Sequence, residues 1–192
     1  MNGRKNGRGK EYYNNNKLKF EGEYLNGKKW NGKGYNINGN IEFEIENGKG
    51  NIKEYDNNGK LDFEGEYLNG ERNGKGKEYN YNCKLDFEGE YLNGIRYGRG
   101  KEYYNNNKLK FEGEYLNGKK WNGNGYNING NIEFKIKDGK GKIKEYNEDG
   151  ELNFEGEYLN GRRNGKGKEY NYDGELEFEG EYFNGRRIKI NQ

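Results

Sequence analysis

The 192-residue sequence contains no Pro, His, Ser, Thr, Ala or Val, and only one Cys and one Met. Without His there is neither an imidazole base nor an imidazole metal ligand. Without Ser or Thr there is no hydroxyl nucleophile, no hydroxyl to hold magnesium in a phosphate-binding loop and no N-glycosylation sequon. A single cysteine cannot staple the chain to itself, which points to a reducing compartment. The opening MNGRKNGRGK lacks the apolar core of a secretory leader. The longest apolar run is two residues, Tyr12-Tyr13 for example, so no segment reads as a membrane-spanning helix. A formal net charge of +2 gives no reason to expect nucleic acid as a partner. These exclusions lead to the expectation of a soluble, cytoplasmic, non-enzymatic protein.

What the chain has in quantity is Gly (34), Asn (35) and aromatic residues (19 Tyr, 9 Phe, 2 Trp). A mean hydropathy of -1.58 would ordinarily suggest disorder. Disordered segments are poor in aromatics, whereas here the rings recur at regular intervals. Dense glycine together with the absence of Ala and Val argues against helices.

The regularity is an internal repeat. Phe-Glu-Gly-Glu-Tyr places its Phe at positions 20, 63, 87, 111, 154 and 178, and weaker copies centre on Phe43 (IEFEIENG) and Phe134 (IEFKIKDG). The spacings are 23, 20, 24, 24, 23, 20 and 24, a series that itself recurs with period 91. Laying Lys10–Arg96 on Lys101–Arg187 gives 70 identities in 87 positions, which reads as a duplicated four-unit block. No two-domain boundary is expected. The chain reads as a single array of about eight units over residues 1–192, in two blocks at about 5–95 and 96–187.

Each unit reads as a β-hairpin. In KLKFEGEYL, Leu18, Phe20, Gly22 and Tyr24 alternate with Lys19, Glu21, Glu23 and Leu25, the period-two pattern of a half-buried strand. Asn26-Gly27 is a strong turn dipeptide. A second strand follows, such as GKGKEY at 74–79. Four residues before each Phe stand Asn16, Gly39, Gly59, Cys83, Asn107, Gly130, Gly150 and Gly174. Gly and Asn accept positive φ, so this column predicts a left-handed turn residue. Cys83 falls in it and reads as a drifted turn glycine rather than a nucleophile. The strand glycines leave room for a ring of the adjacent strand to cover Gly74 or Gly76, which predicts an aromatic-on-glycine ladder in place of a thick aliphatic core. One unit buries too little to fold alone, hence an array.

Phe-Glu-Gly-Glu-Tyr-Leu-Asn-Gly followed by Asn-Gly-Lys-Gly resembles the MORN repeat (membrane occupation and recognition nexus). The resemblance implies an all-β fold, an elongated and twisted antiparallel sheet of successive hairpins, one layer thick, with a groove along one side. By correspondence, Phe20, Gly22, Tyr24, Gly27, Gly32 and Gly34 fall on structural positions, and no catalytic residue is implied. The Lys-Glu-Tyr that follows Gly-x-Gly, and the 24-residue unit, are similar to the MORN variant of bacterial proteins labelled YwqK-type antitoxins. The Phe43 and Phe134 units are about four residues short and should alter the groove locally.

The candidate chemistry is sparse. Glu21 and Glu23 recur as a pair in six units, and equivalent copies suit a charged face paired with Lys better than acid–base catalysis, which needs two unlike environments. No cofactor or metal site is expected. Trp30 and Trp121, one per block beside Lys-Lys, read either as partner-binding anchors or as covers for the groove. Lys28, Lys29, Arg72, Arg96, Lys119, Lys120, Arg162, Arg163, Arg186 and Arg187 follow the Asn-Gly turns. They read either as a soluble edge that discourages strand pairing or as a cationic line for anionic lipid. The leading expectation is a scaffold that binds a protein partner through an aromatic groove or edge. The alternatives are peripheral attachment to an anionic membrane and a YwqK-like antitoxin. Met1 aligns with Leu92, in mid-unit, and the chain stops shortly after Arg187. Exposed edge strands there would mean either end-to-end self-association or a piece of a longer array.

Overall fold

The computed structural model describes residues 4–188, so Met1 and its alignment with Leu92 lie outside the described residues. Among these residues there is no helix, and every strand pair is antiparallel. The chain divides into two compact units, residues 1–95 and 96–192. The first contains β1 (Gly7–Tyr12), β2 (Leu18–Leu25), β3 (Lys28–Tyr35), β4 (Ile41–Ile45), β5 (Gly50–Tyr55), β6 (Leu61–Leu68), β7 (Glu71–Tyr79) and β8 (Leu85–Leu92). The second contains β9 (Ile95–Tyr103), β10 (Leu109–Leu116), β11 (Lys119–Tyr126), β12 (Ile132–Ile136), β13 (Gly141–Tyr146), β14 (Leu152–Leu159), β15 (Arg162–Tyr170), β16 (Leu176–Phe183) and β17 (Arg186–Arg187). Neighbours in sequence are neighbours in the sheet, as tandem hairpins require. In the first unit one ladder runs from β1 to β4 and another from β5 to β8. In the second unit the ladders run from β9 to β12 and from β13 to β17.

Two kinds of turn set this register. At the Asn-Gly corners both central residues have positive φ, 53° at Asn26 and 87° at Gly27, which is the type I′ geometry whose twist matches flanking strands. The other corner is the column four residues before each Phe. All eight of its members are left-handed, from 57° at Cys83 to 90° at Gly39 and Gly150, as the Gly/Asn preference predicts. Cys83 is exposed and uncrosslinked.

The core is a stack of rings on glycine. Phe20, Phe63, Phe87, Phe111 and Phe154 have no exposed surface. Each lies across a glycine pair that faces itself through the hairpin: Gly22 opposite Gly32 beneath Phe20, Gly65 opposite Gly76 beneath Phe63, and Gly156 opposite Gly167 beneath Phe154. A Cβ at Gly76 would come within 2.5 Å of the Phe63 ring, and one at Gly167 within 2.7 Å of Phe154. Tyrosines of the next hairpin close the other side, with Tyr91 meeting Phe63 edge to face at 5.3 Å and Tyr182 meeting Phe154 at 5.4 Å. Gly76 is thus covered by rings. Gly74 faces the Glu66 side chain instead, at a bulge where Gly65 pairs Gly76 but Tyr67 pairs Arg72.

The short units break the ladder, and they do so twice. At Phe43 the strand reads IEFEI, with Ile45 opposite Gly32, and the returning strand places Ile52 opposite Gly65. Isoleucine occupies both of these positions, and the Phe43 ring lies instead on Gly34 of the preceding strand, where a Cβ would come within 2.0 Å of it. Only an isolated bridge between Glu46 and Lys49 joins the two strands, and β4 and β5 end separate ladders. Phe20, Tyr24, Phe43, Ile45 and Ile52 form a buried cluster at this seam, with Tyr67 packed against it. The Tyr13 hydroxyl donates to the Tyr35 carbonyl at 2.6 Å within the first ladder, and the Asn14 amide to the Asn57 carbonyl at 2.9 Å, which joins the two halves of the first unit. Tyr104 to Tyr126 (2.6 Å) and Asn105 to Glu148 (2.9 Å) repeat this in the second.

Two outcomes test this account. Gly76→Ala forces a methyl against Phe63 and should cost about 1 to 3 kcal/mol, read as a lowered urea midpoint. Cys83→Gly relieves a left-handed β-carbon and should raise stability by about 1 kcal/mol in the same measurement.

Candidate functional site

The buried rings do not form an open aromatic surface. Above each sits a cation from the strand after the Asn-Gly turn. The Arg72 guanidinium lies 4.0 Å from the Phe63 centroid, Arg163 4.0 Å from Phe154 and Arg187 4.4 Å from Phe178. Lys29 and Lys120 stand 4.7 and 4.8 Å over Phe20 and Phe111. Each cation is held by the glutamate of a Lys-Glu-Tyr segment. Arg72 donates to Glu54 through Nε at 2.8 Å and Nη2 at 3.1 Å, and to Glu78 through Nη1 at 3.0 Å. Arg163 does the same with Glu145 at 2.9 and 2.8 Å and Glu169 at 2.7 Å. A tyrosine hydroxyl completes the set: Tyr67 donates to Glu54, Tyr158 to Glu145 and Tyr115 to Glu102 (2.9 Å). Ring, cation, carboxylate and phenol repeat along the hairpins as one stacked layer.

The electrostatics follow from that layer. Burial alone would raise the Glu102 carboxyl, but the Lys120 ammonium at 2.7 Å and Arg96 at 3.2 Å outweigh it and hold it down to about 2. Glu54 and Glu145 are lowered in the same way, burial opposing and Arg72 or Arg163 prevailing. Burial, reinforced by the neighbouring carboxylate, pushes the Tyr67 and Tyr158 phenols up, so both stay protonated donors.

The ten basic residues separate into two groups. Lys29, Arg72, Arg96, Lys120, Arg163 and Arg187 belong to the ring-and-carboxylate layer. Lys28, Lys119, Arg162 and Arg186 face the opposite side, paired across the turn with Leu25, Leu116, Leu159 and Phe183. In the first unit Lys28 binds Glu71 at 2.8 Å. In the second unit the residue at the place of Glu71 is Arg162, and Lys119 packs against the adjoining Gly161 with no carboxylate in that position. Exposed Arg162 and Arg186 there flank the exposed apolar side chains Leu159 and Phe183.

Trp30 and Trp121 are the extra residues of the bulges in β3 and β11, since Glu23 pairs Asn31 while Tyr24 pairs Lys29. Both are half-buried, and each ring lies on the turn glycine of the following short hairpin, Gly48 or Gly139. The Gly48 amide donates to the Trp30 carbonyl at 2.8 Å, and Gly139 to Trp121 at 2.8 Å. Each tryptophan covers the place left by a hairpin that is too short to fill it.

The face away from the rings is open and glycine-floored. In the second unit Gly156, Gly167 and Gly180 stand in register across β14, β15 and β16, beneath a hollow of about 700 Å³. Glu155, Lys168 and Glu179 form one wall and Glu157, Lys166 and Glu181 the other, with signs alternating from strand to strand. A matching hollow of about 520 Å³ lies over Gly9 and Gly22 between Arg8, Lys10, Glu21 and Glu23. Lys10–Glu21 at 3.2 Å, Lys33–Glu44 at 3.0 Å and Lys168–Glu179 at 3.5 Å are cross-strand ion pairs, the arrangement expected for the recurrent glutamate pair. A smaller cleft of about 280 Å³ in the second unit has Phe134, Ile136 and Ile143 at its base and the Lys120–Glu102 and Lys144–Glu133 ion pairs on or beside its walls. Among the described residues no group of three or more His, Cys, Asp or Glu could hold a metal ion, and no helix is long and apolar enough to cross a membrane.

Sequence reasoning missed the glutamates of the Lys-Glu-Tyr segments, Glu11, Glu54, Glu102, Glu145 and Glu169, which anchor the buried layer. Their signal was the recurrence of Lys-Glu-Tyr itself, at 10–12, 53–55, 77–79, 101–103, 144–146 and 168–170.

Tandem two-stranded hairpins, each unable to bury its ring without a neighbour, define a β-hairpin repeat protein. The MORN repeat family model matches four segments of the chain, residues 1–17, 63–82, 87–108 and 154–175. MORN repeats are generally non-enzymatic and often bind membranes or proteins. No curated protein matches the chain.

Glu102 sets a pH dependence. Its folded carboxyl titrates below its ordinary 4.5, so its stabilisation is complete above that pH and is lost as pH falls through about 2. Glu102→Gln should lower stability by about 3 kcal/mol at pH 7 and by little near pH 2, measured as urea unfolding across pH. An equal loss at both pH values would contradict the ion-pair account.

Proposed function

We propose that the protein is a non-catalytic scaffold that binds a protein partner on the open, glycine-floored face of its hairpins. The observation that carries this reading is the covering of the rings by cations and carboxylates, which leaves only a cleft of about 280 Å³ on that side against railed hollows of about 700 and 520 Å³ on the other. Rails of alternating Lys and Glu suit a partner that carries both signs, and a protein does so. They offer no net attraction to an anionic bilayer. The lone exposed thiol fits a reducing compartment, and a cytoplasmic location belongs to this reading.

A second reading has its own support. Arg162, Arg186 and Lys119, beside Leu159, Phe183 and Leu116, form a cationic and apolar strip confined to the second unit. Such a strip suits anionic lipid head groups. The two readings call on different residues. Lys166→Glu with Lys168→Glu should abolish capture of a crosslinked protein partner and leave liposome flotation unchanged. Arg162→Glu with Arg186→Glu should spare partner capture, and should remove any flotation with anionic vesicles, as raised salt would. Partner capture indifferent to the rail reversals would overturn the scaffold reading, and flotation indifferent to the arginine reversals would overturn the lipid one.

A further inference from the structure

We propose that the cleft at the seam of the second unit binds a small free amphipathic anion, a carboxylate carried on a single aromatic ring. The cleft holds about 280 Å³ over a base of Phe134, Ile136 and Ile143, all buried side chains. An apolar cavity of about 150 Å³ takes a benzene ring. The remaining space accommodates a short arm that carries the charged group to the wall.

The walls decide the sign of that group. Four lysines, Lys110, Lys119, Lys120 and Lys144, line the cleft against two carboxylates, Glu102 and Glu145. Both carboxylates are also held by arginine, Glu102 by Arg96 at 3.2 Å and Glu145 by Arg163 at 2.8 Å. Glu133 engages Lys144 at 2.9 Å, which does not reverse the excess of cations. Against the burial that would raise it, Lys120, Arg96 and Lys110 hold the Glu102 carboxyl down to about 2, which marks the surroundings as positive.

The first unit supplies an internal control. Its corresponding cleft, lined by Phe43 with Lys19, Lys29 and Lys53, holds only about 90 Å³, too little for a ring. Those four residues stand 91 positions before Phe134, Lys110, Lys120 and Lys144. The cleft of the second unit runs on to the turn edge, where Gly118, Lys119 and Gly161 line it. The counterpart of Lys119 is Lys28, which Glu71 engages at 2.8 Å. At the place of Glu71 the second unit has Arg162, so no carboxylate stands there to engage Lys119. An anionic ligand supplies the missing charge.

The test is a titration of the full chain with phenylacetate, read by NMR of the isoleucine methyl groups. The Ile136 and Ile143 signals should shift to saturation in the millimolar range. Those of Ile45 and Ile52, their counterparts in the first unit, should stay in place. Neutral phenylacetamide should bind about fivefold more weakly than phenylacetate, and Lys119→Glu should weaken phenylacetate about fivefold while leaving the amide unchanged. Lys28→Glu should alter neither. Absence of saturation, equal affinity for acid and amide, an equal response at Ile45 and Ile52, or indifference to Lys119→Glu would each overturn the proposal.

Discussion

A phenylalanine ring packed on two facing glycines is the contact from which the rest of the structure follows. The ring leaves no room for a β-carbon beneath it, so both strands of a hairpin must carry glycine at the same level. Glycine contributes no side chain of its own, so the ring must be closed from above and from the next hairpin. A cation closes it from above and a tyrosine edge from the side. The cation needs a carboxylate once it is half-buried, and the carboxylate comes from the neighbouring strand. Each hairpin therefore completes the site of another, which is why the element is met as a run and not singly.

The short units show what happens when the contact is withdrawn. Isoleucines stand at both glycine levels, the ring of the short unit shifts onto Gly34 or Gly125 of the preceding strand, the ladder stops, and a mixed aromatic and aliphatic cluster takes over at the seam. The tryptophan just before each short unit fills the space that its missing residues leave. Because the same arrangement recurs with nearly the same distances in the second unit, it is a designed part of the duplicated block. Divergence between the blocks is concentrated elsewhere, on outward positions such as Glu71 and Arg162, where one charge sign replaced the other.

Much of this was legible in the sequence. Strict alternation around each Phe, the Asn-Gly corners and the left-handed column that contains Cys83 are local, so their conformations could be read from residue type alone. The ring-on-glycine ladder was legible at Gly76 and misplaced at Gly74, because a bulge between them changes which residue faces inward. That same bulge explains the basic residues. Of each Lys-Lys or Arg-Arg pair, the first side chain turns outward beside leucine, or beside Phe183 at Arg186, and the second turns onto a ring, a division that turn composition does not reveal. The Lys-Glu-Tyr glutamates escaped notice because a lone glutamate in a charged strand looks solvated. Only the register brings an arginine, a phenol and a ring around it. Trp30 depends on a deficit in the following unit, a relation between repeats that no single repeat displays.

With the aromatic side sealed, the proposed function falls to the outer face and to the turn edge, and both are built from the positions the core does not use. The ring-on-glycine contact underlies all of this, and the most direct measurement of it is the proton NMR shift of the glycine α-protons in the folded chain. Gly76 and Gly167, against Phe63 and Phe154, should be displaced strongly by the ring current relative to Gly130, which has nothing near its β-position. Ordinary shifts at Gly76 and Gly167 would contradict the account.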